Sequence, residues 1–162
     1  VIDLLIKVGA QENNIYGIDI RKEKLQYVKN KFPDCHFQIM DVKNMKYPEN
    51  HFDLITAFTL FSSILDSDFQ LQSVKEICKV LKPGGKILLY DFRFNNPFNN
   101  NVRAMKLKDI ENLFSALDID FHLITLLPPL SRKLGFTANF FYPLLSKLSF
   151  LKTHYMCVIH GK

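Results

Sequence analysis

Cysteine is scarce in this chain, and the three present (Cys35, Cys78 and Cys157) lie far apart, each within an apolar segment. That pattern excludes a disulfide framework and a cysteine-rich metal site. It suits small buried hydrophobes in a reducing, cytoplasmic setting. Metal-ligand spacing is missing from His36, His51 and His122, while His154 and His160 fall on an apolar terminal strand and read as structural, so no metal is expected. No uninterrupted apolar run of about 20 residues occurs. The greasiest stretch, Leu123 to Leu151, is interrupted by Arg132, Lys133 and Lys147 and broken at Pro128, Pro129 and Pro143. It reads as a helical cover on a sheet rather than a membrane span. The formal charge is +5, yet lysine and arginine are scattered among acids, with no basic stripe interleaved with aromatics. Nucleic acid is therefore not the default partner. An initiator methionine is also lacking. Val1 to Gly9 looks like the last two turns of a helix closed by a C′ glycine, so the chain reads as a fragment cut inside a helix, for which no signal peptide can be judged.

What is present is a composition of 48% hydrophobic and 23% charged residues over 162 positions, enough for one domain (1–162) with a real core. The organising stretch is Ile15-Tyr16-Gly17-Ile18-Asp19-Ile20, an apolar run entered through the turn pair Asn13-Asn14. It predicts a strand buried on both faces of a parallel sheet. Arg21 to Lys31 follows as a helix ended by Pro33, then His36 to Met40 as a strand finishing at Asp41-Val42. Phe52 to Phe58 predicts a third strand. Ser67 with Gln70 makes a capping-box signal for a helix carrying Val74, Ile77, Cys78 and Leu81 on one face. Pro83-Gly84-Gly85 predicts a tight turn before the strand Lys86 to Phe92. An asparagine-rich loop, Arg93 to Arg103, leads to a helix marked by Leu107, Ile110, Leu113, Phe114 and Leu117. Ile119 to Leu127 alternates like a strand, Leu130 to Leu151 predicts two short helices broken at Pro143, and His154 to His160 is the last strand. Strands alternating with helices argue for a parallel sheet, with the final pair antiparallel.

Asp19 and Asp41 end successive strands. Parallel neighbours about 4.8 Å apart would set both carboxylates on one rim, where open α/β sheets bind ligands. One would take the two hydroxyls of a ribose and the other an exocyclic amine, with the Val42 N–H facing a ring nitrogen. That outlines an adenosine site. The plain alternative is a helix-capping Asp19 and a solvated Asp41.

The order Tyr-Gly-Ile-Asp-Ile, Met-Asp-Val, Phe-Asp-Leu-Ile-Thr-Ala-Phe and Leu-Lys-Pro-Gly-Gly-Lys-Ile-Leu-Leu-Tyr-Asp resembles a class I S-adenosylmethionine-dependent methyltransferase of the type 11 kind. The resemblance covers nearly the whole chain. It implies an α/β, Rossmann-like, doubly wound and mostly parallel sheet, with an antiparallel C-terminal strand inserted between Lys86–Phe92 and Ile119–Leu127. It implies S-adenosyl-L-methionine as cofactor, with Asp19 on the ribose, Ile20 on adenine, Asp41 and Val42 on the adenine edge, and Ala57 and Phe58 against the methionine part. The family's first strand and glycine-rich turn would precede Val1 and are absent from this chain, so this fragment alone is expected to be poorly stable and inactive.

On the acceptor side, Asp91-Phe92-Arg93-Phe94-Asn95-Asn96-Pro97 leaves the fourth strand at the same rim. Asp91 could take a proton while Arg93, Asn95 and Asn96 orient a polar acceptor. The alternative is a structural Asp91–Arg93 pair with turn-capping asparagines. The acceptor is expected to be a small molecule, a sugar or a lipid-linked hydroxyl. Leu123 to Leu151 leaves room for peripheral membrane contact. Two rivals stand beside methyl transfer: a nicotinamide-dependent Rossmann oxidoreductase, and a non-catalytic truncated methyltransferase domain.

Overall fold

The computed structural model describes residues 1–95, 99–126 and 148–162. They fall into two compact units, Val1–Lys46 and Tyr47–Lys162.

In the first unit, α1 (Ile2–Lys7) closes at Gly9, whose φ of +105° is the left-handed conformation a helix C′ position asks of glycine. Strands β1 (Tyr16–Asp19) and β2 (His36–Ile39) pair in parallel, Tyr16 opposite His36 and Asp19 opposite Ile39. The crossover a parallel pair requires is α2 (Lys22–Lys31). Ile15, Phe32 and Cys35 form the buried centre, with Ile2, Leu5, Ile6, Val28 and Phe37 packed around them. The ring of Phe37 lies so close over Gly17 that a Cβ there would meet Cδ1 at 2.7 Å. One expectation fails here. β1 is not buried on both faces, since Tyr16 is exposed and Gly17, Ile18 and Asp19 are half-buried. A sheet of two four-residue strands has too little neighbouring surface to cover both faces.

The second unit is built on a four-stranded sheet in the order β3-β4-β6-β5. β3 (Phe52–Phe58) pairs in parallel with β4 (Leu81–Phe92). β6 (Lys152–His160) runs antiparallel between β4 and β5 (Asp118–Leu126), with Phe92 opposite His154 and Asp118 opposite His160. Three strands thus share one direction and the last in sequence opposes them, in the slot expected from the resemblance. The sheet belongs to the mixed, mostly parallel α/β class.

Helix α3 (Ser67–Val80) connects β3 to β4 and buries Val74, Ile77 and Val80. Its cap is Asp66, whose carboxylate accepts the Phe69 N–H at 2.7 Å, and not Ser67. Gln70 is consequently free to turn inward, where its amide donates to the Phe61 and Ile64 carbonyls at 2.9 and 2.8 Å. The Pro83-Gly84-Gly85 turn is a wide irregularity inside β4: Phe52 faces Leu81, but Leu54 already faces Lys86. Gly84 takes φ +72° there. Helix α4 (Leu107–Leu113) buries Ile110, and Phe114 just beyond it meets Phe61 edge-on at 5.7 Å. The two helices expected over Leu130 to Leu151 lie outside the described residues up to position 147, and Ser149–Leu151 forms a single 3-10 turn. Among the described residues, no helix is long and apolar enough to cross a membrane.

Candidate functional site

The first unit gathers four of the six residues singled out for cofactor binding. Asp19 is the last residue of β1, and Asp41 follows β2 by two positions, so parallel pairing sets both at one rim. The Met40 N–H, bonded to the Asp19 carbonyl at 3.3 Å, extends the ladder to that edge. Asp19 does not cap α2. Its Oδ1 accepts the Arg21 backbone N–H at 2.9 Å and Nε at 3.3 Å, and its Oδ2 accepts Nη2 at 3.3 Å. Partial burial pushes the carboxyl pKa up, but the Arg21 hydrogen bonds and charge outweigh this and hold it below the ordinary range. Asp41 caps a 3-10 turn, Val42–Asn44, by accepting the Lys43 N–H at 3.1 Å. Val42 opens that turn, so its N–H has no acceptor within it. Ile20, beside Asp19, is 70% exposed.

This donor and acceptor set fits an adenosine. Both carboxylate side chains stay partly open to solvent, and an ionised carboxylate has about four lone-pair positions, of which Arg21 fills only part on Asp19. A large apolar side chain held out in water beside them offers a face for a flat ring. Sequence reasoning missed Arg21 as the partner of Asp19, although an acid two residues before an arginine at a strand end was the available signal.

The rim of the second unit is arranged differently. Ala57 is 3% exposed, whereas Phe58 is on the surface with its ring 5.5 Å from that of Tyr90. The chain then turns through Thr59, whose N–H reaches the Tyr90 carbonyl at 2.7 Å, into a 3-10 turn at Phe61–Ser63. Asp91 is wholly buried beneath that turn. Its carboxylate accepts the N–H of Ser62 at 3.0 Å and of Phe92 at 2.9 Å. Desolvation pushes its pKa up, and the hydrogen bonds from Ser62, Phe92 and Phe61 offset this only in part. The buried Ser62 hydroxyl meets no partner in full hydrogen-bond geometry, although its dipole favours the charged carboxylate.

Arg93 does not pair with Asp91. Its Nη1 donates to the carbonyls of Ser149 at 2.7 Å and Lys152 at 3.4 Å, strapping the start of β6, and its guanidinium carbon sits 4.9 Å from the Phe94 ring centre. Asn95 accepts the Ala104 N–H at 2.7 Å, which closes the base of the asparagine-rich loop. Asn96 lies outside the described residues. His154 is buried, stacked on Tyr90 at 4.5 Å with its Nδ1 2.9 Å from the Thr153 hydroxyl, and desolvation pushes its pKa down. His160 meets Asp120 at 2.9 Å. Both are structural contacts. Among the described residues no cluster of histidine, cysteine and carboxylate could hold a metal ion.

Comparison with known proteins gives the family and the fold. A family model described as methyltransferase domain matches residues 2–89. The ubiquinone/menaquinone biosynthesis C-methyltransferase UbiE of Shewanella frigidimarina is 42% identical over 90 residues, 56% of this chain and 30% of that protein. The enzyme of the same name from Laribacter hongkongensis is 39% identical over 54 residues, 33% of this chain and 21% of that protein. The chain thus matches less than two fifths of the length of the curated relatives. A crystal structure of a SAM-dependent methyltransferase from Archaeoglobus fulgidus superposes with a TM-score of 0.72 at 11% identity, covering 99% of this chain and 80% of that one, which is a likeness of fold. With more than half of its residues matched by the family model, the chain belongs to the methyltransferase domain family.

Proposed function

We propose that this chain serves S-adenosyl-L-methionine-dependent methyl transfer. The observation that carries the reading is the shared rim of β1 and β2, where Asp19, Ile20, Asp41 and Val42 come together with the polarity an adenosine requires. Asp19 accepts the ribose hydroxyls, Ile20 covers a face of the adenine, and Asp41 with the Val42 N–H reads its edge. When bound, the cofactor's sulfonium supplies an electrophilic methyl group, so the protein's part is holding and orienting. For Ala57 and Phe58 in the second unit, a role at the methionine portion rests on the family resemblance alone. Arg93 and Asn96 would orient the acceptor. Asp91, shut away from solvent, acts as a positioning group that fixes the Phe61–Ser63 turn through the Ser62 N–H.

Relatives named C-methyltransferases favour a carbon atom of a small molecule as acceptor over a sugar or lipid-linked hydroxyl. Family membership weighs against the nicotinamide alternative. Calorimetric titration of the full-length protein with S-adenosyl-L-methionine tests the reading. Asp19→Ala should lose more affinity than Asp41→Ala, because it removes two charge-assisted hydrogen bonds of about 1.5–3 kcal/mol each, where Asp41 makes one. Equal and negligible losses would make both acids mere turn formers.

A further inference from the structure

The second unit carries a cleft of about 780 Å³ between the start of α3, the Arg93–Asn95 segment and α4. Its walls are unusual in two independent ways.

The first is charge. Arg93, Arg103 and Lys106 line the cleft, against a single acid, Asp109. That acid is committed, since its carboxylate accepts the Lys106 backbone N–H at 3.0 Å. Arg93 is held by two neutral carbonyls, which fix its guanidinium without cancelling its charge. Arg103 makes no ion pair among the described residues. Its backbone N–H is anchored on the Ser62 carbonyl at 2.8 Å, so the base of the side chain is fixed in a residue that is exposed. Like charges gathered without acids are costly unless an anion joins them.

The second is apolar surface. Phe94 and Leu71, both on the cleft wall, are 49% and 45% exposed. Phe94 is further set by the Arg93 guanidinium against its ring. A concave surface with large exposed hydrophobic side chains and a few convergent polar groups is the usual form of a small-molecule site.

We propose that this cleft binds a small molecule with an apolar or aromatic body and one anionic head, a carboxylate or phosphate. The head lies between Arg103 and Lys106 with Arg93 behind it, and the body lies along Phe94 and Leu71. On the methyl-transfer reading, on which its role as acceptor site rests, this names the acceptor class: an anionic amphiphile rather than a neutral sugar.

The test needs no cofactor, so its result is separate from that of the cofactor titration. Binding of naphthyl phosphate is compared with inorganic phosphate (head alone) and naphthol (body alone) by calorimetry on the full chain. Naphthyl phosphate should bind at least about tenfold tighter than either part, and Arg103→Gln should remove about tenfold of that, the size of one charge-assisted hydrogen bond. Arg103→Lys should restore most of the loss, Lys106→Gln should repeat it, and added salt should weaken the phosphate ester but not naphthol. If naphthol binds as tightly as its phosphate ester, the cleft is merely greasy and the proposal falls. It falls too if Arg103→Gln and Lys106→Gln, with unchanged thermal unfolding, both leave the affinity intact. Arginine-dependent sedimentation with phosphatidylglycerol vesicles, without naphthyl phosphate binding, would replace the small molecule with a lipid surface.

Discussion

At the end of β1 the carboxylate of Asp19 is half-buried, still reached by water, and gripped by one guanidinium. Near the end of β4 the carboxylate of Asp91 is sealed from water and held by backbone N–H groups. Each sits where its strand leaves the sheet. In Asp19 the arginine outweighs partial burial and the pKa falls. In Asp91 burial outweighs every hydrogen bond and the pKa rises. The difference shows what a carboxylate at a strand end is worth. An exposed one in a local ion pair contributes little to stability but keeps lone pairs for a ligand. A sealed one has given its acceptor capacity to the fold.

The largest test of this contrast is removal. Asp91→Ala should destabilise the protein by about 1–4 kcal/mol, because the buried N–H of Ser62 loses its acceptor at about 1–3 kcal/mol and the part-buried N–H of Phe92 loses its own at about 1 kcal/mol or less. Asp19→Ala should stay within about 1 kcal/mol. Urea unfolding of the two variants measures both on one scale. Similar midpoints would erase the distinction between a structural and an available carboxylate.

How far this was legible in the sequence follows from the same pair. Strand order, the parallel β1–β2 and β3–β4 pairs and the antiparallel insertion of β6 followed from the alternation of apolar runs and helical spacing, together with family resemblance. The rim position of Asp19 and Asp41 followed from their place at strand ends. Burial did not. Nothing local separates Asp91 from Asp19, since what seals Asp91 is the Phe61–Ser63 turn, some 29 residues distant in sequence. Asp66 captured the α3 cap from Ser67 because it reaches the Phe69 N–H, and Gln70 instead turns inside to donate to the Phe61 and Ile64 carbonyls at the short turn. The cleft flanked by Arg103 and Lys106 was likewise hidden, its charges being spread over two stretches and its apolar wall completed by a third.

The opposite pKa shifts give the contrast a second edge, in pH. For Asp19 the folded pKa lies below the ordinary value of 3.8, so the folded state binds its proton more weakly. Its contribution is present above 3.8 and is lost as pH falls through the lowered folded value. For Asp91 the folded pKa lies above 3.8, the folded state binds the proton more tightly, and stability falls as pH rises from 3.8 through the raised value. Unfolding free energy measured across the acid range should therefore lose its falling limb in Asp91→Asn and soften its acid limb in Asp19→Asn. If Asp91→Asn steepens the fall instead, the carboxyl is held charged by its N–H donors and burial is not the dominant influence.

The smallest expected effect is the most discriminating for function. Arg21 is more than half exposed, and its pair with Asp19 is long, at 3.3 Å on both side-chain bonds, so Arg21→Ala should change stability by no more than about 1 kcal/mol. Its consequence for the cofactor is a matter of competition. Ribose hydroxyls approaching Asp19 seek the same carboxylate oxygens that Nε and Nη2 occupy, while the Arg21 backbone N–H, which the substitution leaves in place, keeps the carboxylate oriented. Removing the guanidinium should therefore leave affinity for S-adenosyl-L-methionine unchanged or raise it modestly, read in the same calorimetric titration as Asp19→Ala. A marked loss would mean that Arg21 itself holds the cofactor or that the ion pair, rather than the strand, sets the carboxylate in place. In either case the rim of β1 would depend on its side-chain partner as Asp91 depends on the backbone, and the two ends of the contrast would converge.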